Sequence, residues 1–171
     1  MNIRKSTVDD IKIIMDIFNM AKSYMKENNI NQWQDGYPNE AQIIDDIKND
    51  ISYVMTDNKD IVGTAVITFL GDPNYDEIYD GEWLTSYDFC AVHRIAITNK
   101  LKGKGIANEF IKIATSMCRD NNIHSLRIDT HRQNISMQRF LEKNGFVKCG
   151  IIYLDNKKDD TNERFAYEKL I

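Results

Sequence analysis

The chain has little cysteine, no excess of positive charge and no long apolar run, and each shortage excludes a class of protein. Its three cysteines, Cys90, Cys118 and Cys149, are odd in number, far apart and without C-x-x-C spacing. Neither a disulfide framework nor a zinc site is expected, and each cysteine reads as a small buried hydrophobe. Lys and Arg number 22 against 26 Asp and Glu, a net charge of -4. Nucleic acid is therefore not expected as the main partner, because neutralising phosphates needs clustered basic excess. Any anion site must be local. No stretch reaches the roughly 20 apolar residues that span a bilayer, and the N-terminus, MNIRKSTVDD, lacks the apolar core of a signal peptide. A cytoplasmic protein with no membrane partner is expected. No repeat, low-complexity segment or linker divides the chain, and 171 residues at 42% hydrophobic content fit a single domain over 1–171.

What is present is strongly patterned. Met1 to Arg4 fits an edge strand, and Ser6 with Asp9 three positions on resembles a capping box opening a helix over Val8 to Asn28. Ile11, Ile14, Phe18, Ala21 and Met25 would form its buried face. The polar, turn-rich ENNINQWQDGYPNE, which holds Trp33 and Tyr37, leads to Asn39 as cap of a second short helix presenting Ile43, Ile44 and Ile47. Tyr53 to Met55 and Ile61 to Leu70 read as an antiparallel hairpin. A long acidic and aromatic connection follows, GDPNYDEIYDGEWLTSYD, of a length that is usually functional or disordered inside a compact domain. Phe89 to Ile97 reads as a buried strand. Beyond it lie a helix striped by Ile106, Phe110, Ile113 or Ala114, and Met117, then the strand SLRIDT. Ile135 to Lys143 forms a short helix with a C-cap signal at Asn144 and Gly145, and Val147 to Leu154 and Arg164 to Lys169 close the chain as strands. The order β-α-α-β-β-β-α-β-α-β-β implies a mixed sheet covered by helices.

The segment NKLKGKGIANEF, Asn99 to Phe110, joins the buried strand to the longer helix of this half. A glycine-rich turn there places unpaired backbone N–H groups at the positive end of the helix dipole, where phosphate binds. Gly103 and Gly105 carry no Cβ and admit a ligand close to the backbone, while Lys102 and Lys104 add charge. A lysine-rich turn that merely reverses the chain has the same composition. The segment lacks the G-x-x-x-x-G-K-[ST] of a nucleotide-hydrolysing loop, and Asn108 stands where a dinucleotide fingerprint has its third glycine.

The neighbourhood decides between these readings. VHRIAITNKLKGKGIANEF, followed after one strand by NISMQRFLEKNGF, resembles the GNAT superfamily of N-acetyltransferases. Lys102, Gly105 and Ala107 match the family's pyrophosphate motif, with Lys replacing the usual Arg or Gln. Asn134, the following helix and the pair Gly145 and Phe146 match its second motif. The resemblance implies a GNAT-like α/β (α+β) fold, a mixed and mostly antiparallel sheet of about seven strands flanked by about four helices. It implies acetyl-coenzyme A as donor substrate, with no metal, and direct acetyl transfer to a primary amine of a small molecule or protein. Backbone groups of Ile95, Ala96 and Ile97 would meet the pantetheine arm and polarise the thioester. The N–H groups of Lys102, Gly103, Lys104, Gly105, Ile106 and Ala107 would hold the pyrophosphate, and Asn134, also a helix N-cap, would bond the pantetheine. The family commonly places a tyrosine as general acid where this chain has Leu141, which cannot donate a proton. An acyl-coenzyme A-binding sensor or interaction module with little activity is the alternative that this omission keeps open.

An amine with a pKa of about 10.4 must lose a proton before it attacks, so a base is wanted. His93, on the strand before the turn, and Asp129 and His131, in RIDTH, are the candidates, since these two strands splay in the family fold around the acetyl group. Glu82 in the long loop could act through water. Each histidine could instead order a loop, and Asp129 could hold Arg127 or Arg132 in an ion pair. Trp33, Tyr37 and Trp83 fall where relatives place the acceptor, as aromatic walls for a cationic amine or as anchors of long loops. Exposed late strands allow a homodimer.

Overall fold

A computed structural model describes residues 1–171. Seven strands form one sheet: β1 (Asn2–Lys5), β2 (Ser52–Asp57), β3 (Asp60–Thr68), β4 (Cys90–Ile97), β5 (Ser125–His131), β6 (Val147–Tyr153) and β7 (Glu163–Leu170), arranged β1-β2-β3-β4-β5-β7-β6. Every neighbouring pair is antiparallel except β4 with β5. Four helices cover the sheet: α1 (Ile11–Glu27), α2 (Glu40–Lys48), α3 (Ile106–Asp120) and α4 (Ile135–Lys143). No helix is long and apolar enough to cross a membrane.

Side-chain alternation along the strands sorts the core into two layers. Cys90 and Val92 of β4 pack with Leu126 and Ile128 of β5 beneath α3 and α4, where Ile111, Ala114, Cys118 and Leu141 complete the cluster. Ala96 packs on the opposite face with Ile14, Ile17, Phe18 and Ile43 of α1 and α2. The three cysteines are free and buried. On α3 the buried stripe is Ile106, Phe110, Ile111, Ala114 and Cys118, so Ala114 rather than Ile113 and Cys118 rather than Met117 face the sheet.

Two local expectations shift. The N-terminal capping box is built one residue later, from Thr7 and Asp10. The Asp10 carboxylate accepts the Thr7 N–H at 2.8 Å and Arg4 at 2.6 and 2.9 Å, which leaves Ser6 to share a buried hydroxyl contact of 2.8 Å with Ser52. On α2 the wholly buried positions are Ile43 and Asp46, whereas Ile44 and Ile47 are half-buried. The helix therefore turns an acid inward, for a reason that lies in β4. Asn39 caps α2 as expected, accepting the Gln42 N–H at 3.0 Å.

The long acidic connection is docked rather than loose. Tyr79 bridges Ile151 of β6, and the Glu82 N–H donates to the Cys149 carbonyl at 3.1 Å. A Cβ on Gly81 would fall 1.9 Å from that carbonyl oxygen, so the close approach requires glycine. The buried Glu168 carboxylate accepts the Leu84 N–H at 2.5 Å and the Thr85 hydroxyl at 2.6 Å, with Arg127 Nε at 3.4 Å.

Candidate active site

β4 and β5 are paired only at Cys90 with Leu126 and Ala91 with Arg127, and from there the two strands separate. On its other side β4 is bulged, because Arg94 and Ile95 together lie opposite the single β3 residue Ala65. Arg94 takes the left-handed conformation at φ 53, rare for a residue with a side chain. Past the bulge, the Thr98 N–H donates to the Val62 carbonyl at 3.0 Å, which turns the backbone of Ala96 toward β3 and that of Ile97 toward the opening.

The turn after β4 is a cradle of free donors. The Lys102 and Lys104 N–H groups are used within the turn, donating to Asn99 and Leu101 at 3.4 and 3.2 Å. Those of Gly103, Gly105, Ile106 and Ala107 have no carbonyl partner in the chain. Gly103 and Gly105 adopt φ 76 and 84, and a Cβ on Gly103 would meet nothing within 4 Å. Of the six N–H groups expected in the cradle, these four are free, beside the N-terminus of the 15-residue α3. The Lys102 ammonium lies 3.8 Å from the centre of the Tyr24 ring, and burial pulls its pKa down. The side chain of this exposed lysine thus leans on α1.

Where the strands part, a polar constellation occupies the α1–α2 face. His93 sits between two carboxylates, with Nε2 3.3 Å from Asp72 Oδ2 and Nδ1 3.8 Å from Asp129 Oδ1. Desolvation holds its pKa below the ordinary value against the pull of Asp129 and Asp72, so the ring is neutral at pH 7. Asp72 is fixed by its other oxygen, which accepts the Asn74 N–H at 2.9 Å. Asp129 is fixed by the wholly buried Tyr75, whose hydroxyl donates to Oδ1 at 2.7 Å. The adjoining Arg94 guanidinium reaches Asp46 of α2 at 2.7 Å and the Tyr37 hydroxyl, which accounts for the inward acid of that helix.

The other residues expected at a site divide. Asn134 is buried, capping α4 by accepting the Met137 N–H at 3.2 Å and donating to Gln32 Oε1 at 3.0 Å. His131 stands two residues beyond Asp129 but is committed to loops: Nδ1 accepts the Gln133 N–H at 3.2 Å, so Nε2 carries the proton and donates to the Asp160 carbonyl at 3.1 Å. Glu82 is exposed and tethered to β6, two strands away from the opening. Trp33 packs edge-on to Phe18, and Trp83 lies under Arg127 with its indole N–H donated to the Tyr75 carbonyl at 2.9 Å. Both tryptophans anchor loops: Trp83 touches the constellation only from behind, through Tyr75, whereas Tyr37 meets it directly through Arg94. Asp129 pairs with neither Arg127 nor Arg132, which go to Glu168 and Glu163. Leu141 is fully buried in the core. The sequence reading missed Asp46, Asp72, Tyr75 and Arg94. The only signals for them were an acid at an inward helical position and aromatic and acidic residues in the docked loop.

A splayed parallel strand pair, a bulge beside it and an open cradle of amides at a helix start define a coenzyme A-dependent acyltransferase fold. The family profile of the GNAT acetyltransferases matches residues 14–146, and the chain belongs to this family. It resembles an acetyltransferase of the GNAT family from Streptococcus agalactiae, with 32% identity, coverage of 99% of this chain and 95% of that one, and a TM-score of 0.87. More distant likenesses show the fold alone. Among them are PaiA N-acetyltransferase from Thermoplasma acidophilum in complex with coenzyme A (16% identity, 99% and 98% coverage, TM-score 0.70) and ribosomal-protein-alanine N-acetyltransferase from Brucella melitensis (15% identity, 100% of each chain, TM-score 0.69). Curated protein sequences include no match. The chain is accordingly an acetyl-coenzyme A-dependent acetyltransferase, and the open amides of its cradle fit a pyrophosphate.

Proposed function

We propose that the acceptor is a primary amine and that His93 is its general base. The position of His93 carries this reading: a neutral imidazole where β4 and β5 part, between two fixed carboxylates. Acetyl-coenzyme A, when bound, supplies the acetyl group as a thioester. The N–H groups of Gly103, Gly105, Ile106 and Ala107 hold its pyrophosphate, the Ile95 and Ile97 backbone lines the pantetheine path, and Asn134 offers its remaining amide hydrogen. The amine attacks in its neutral form, and His93 takes the further proton that nitrogen sheds as it bonds to the acetyl carbon and the C–S bond breaks with its electron pair going to sulfur. Asp72 and Asp129 then stabilise the imidazolium that forms. Leu141 gives no proton, but a thiol with pKa about 8.5 leaves without much help. A thiol-release assay with acetyl-coenzyme A and a panel of amines tests the reading. Turnover with at least one amine is expected. Coenzyme A binding without turnover of any amine would overturn it in favour of a binding module.

A further inference from the structure

Two arginines adjoin the constellation, and they differ in which atoms are left unpartnered: the buried Nε alone in Arg94, and the whole Nε–Nη2 edge in Arg164. Arg94 is engaged with Asp46 and Tyr37. Arg164 of β7 alternates with Ala166 and Glu168 on the face that carries Asp129 and Arg127, and is paired in register with His131. Its side chain is 8% exposed. Nη1 donates to the carbonyls of Thr161 and Glu163 at 2.7 and 2.8 Å, which fixes the plane of the guanidinium. The other edge, Nε with Nη2, is the fork that grips a carboxylate through two parallel hydrogen bonds. Asp129 Oδ2 is 3.9 Å from Nε, beyond hydrogen-bond reach, and Nη2 has no partner in the chain. Asp129 is held back from closing the gap because its other oxygen accepts the Tyr75 hydroxyl. Neither Nε nor Nη2 is fully enclosed, so the edge of this otherwise buried cation is open to a ligand. Asp35 and Tyr37 of the α1–α2 segment, Asp159 and His131 also act on Arg164.

We propose that the acceptor is an α-amino acid whose carboxylate docks on the Nε–Nη2 edge of Arg164 and whose amine lies beside Asp129 and His93. The inference rests on the amine reading above and specifies its substrate class. Asp129 touches both the arginine fork and the imidazole, with contacts of 3.9 and 3.8 Å on its two oxygens. Carboxylate and amine are therefore held only a few bonds apart. A diamine would place a second cation against Arg164 and is disfavoured.

The test compares thiol release for standard α-amino acids, their carboxamides, the corresponding decarboxylated amines and simple diamines on the native enzyme. The best amino acid should exceed its carboxamide in kcat/KM by on the order of 100-fold, the worth of two charged hydrogen bonds. In R164Q this preference should collapse through KM for the amino acid, and R164K should restore part of it. Carboxamides or diamines used as well as amino acids would overturn the inference and leave the amine reading standing. Failure with every amine would overturn the amine reading itself.

Discussion

Replacing Gly105 with valine separates the fold from donor binding. The residue sits at φ 84, and a Cβ there would find its nearest neighbour, Asn108 Nδ2, at 3.8 Å, so the protein interior does not resist the substitution sterically. The conformational cost of a side chain in the left-handed region is about 1–2 kcal/mol, and a β-branched residue lies toward the upper end. The ligand side is different. Gly105 contributes one of four free N–H groups, and on the proposed reading a branched side chain there would stand between a pyrophosphate and the others. A hydrogen bond to a charged group is worth about 1.5–3 kcal/mol. Losing the reach of two of them weakens coenzyme A by about 3 kcal/mol or more, a factor of about 100 in Kd. Titration calorimetry with coenzyme A, alongside a melting curve, measures both quantities. Gly145 provides the control: its φ of 82 imposes the same backbone cost, and its nearest neighbour is Lys169 at 3.9 Å, so G145V should melt lower but bind coenzyme A normally. A folded G105V protein with native affinity would refute the cradle.

H93Q should lower kcat by about 10²–10⁴ while coenzyme A affinity holds. Because the active form of His93 is neutral and its pKa lies below the ordinary value, the native rate should fall on the acid side of about pH 6.5, and this limb should vanish in H93Q. D10N should destabilise the protein by about 1–2 kcal/mol through loss of the cap and the Arg4 pair. Arg4 holds the Asp10 pKa down, so its contribution is complete above the unfolded value of about 3.9 and is lost as pH falls through the lower folded one. Urea titrations of both proteins should therefore converge in acid. G81A forces a Cβ to 1.9 Å from the Cys149 carbonyl, so the acidic loop should lift from β6 and become the first site of limited proteolysis. Unaltered cleavage would show that the docking is not obligatory.

The element order and the donor cradle were legible because both are written in local sequence. Apolar spacing defines α1 and α3, and two glycines before a helix specify an amide nest whatever surrounds them. The constellation around His93 was legible only in part: His93, Asp129 and Tyr37 were expected at a site, but Asp46, Asp72, Tyr75 and Arg94 were not, because they come from separate parts of the chain. Asp46 reads as one more acid on a helix until Arg94 is turned by a bulge that no residue type announces, since non-glycine residues seldom take that conformation. The two histidines are equivalent in sequence. Only the three-dimensional course of the loops assigns His131 to backbone partners and leaves His93 between carboxylates. Trp33 and Trp83 were placed with Tyr37 by the irregular segments that hold them, but bulky apolar surface drew both into packing while the phenol followed its hydroxyl to Arg94.

The segment between α1 and α2 is fastened to the rest of the molecule at several points. Asn31 donates its N–H to the Gln133 side chain at 2.9 Å, Gln32 accepts from Asn134 at 3.0 Å, and Tyr37 meets Arg94. The segment is therefore not a detachable cassette. Exchanging this segment for that of a relative would remove the Gln32 partner of Asn134 and unclamp the bulged strand. A chimera meant to alter only the acceptor would have to carry position 94 and the start of α4 along with the graft.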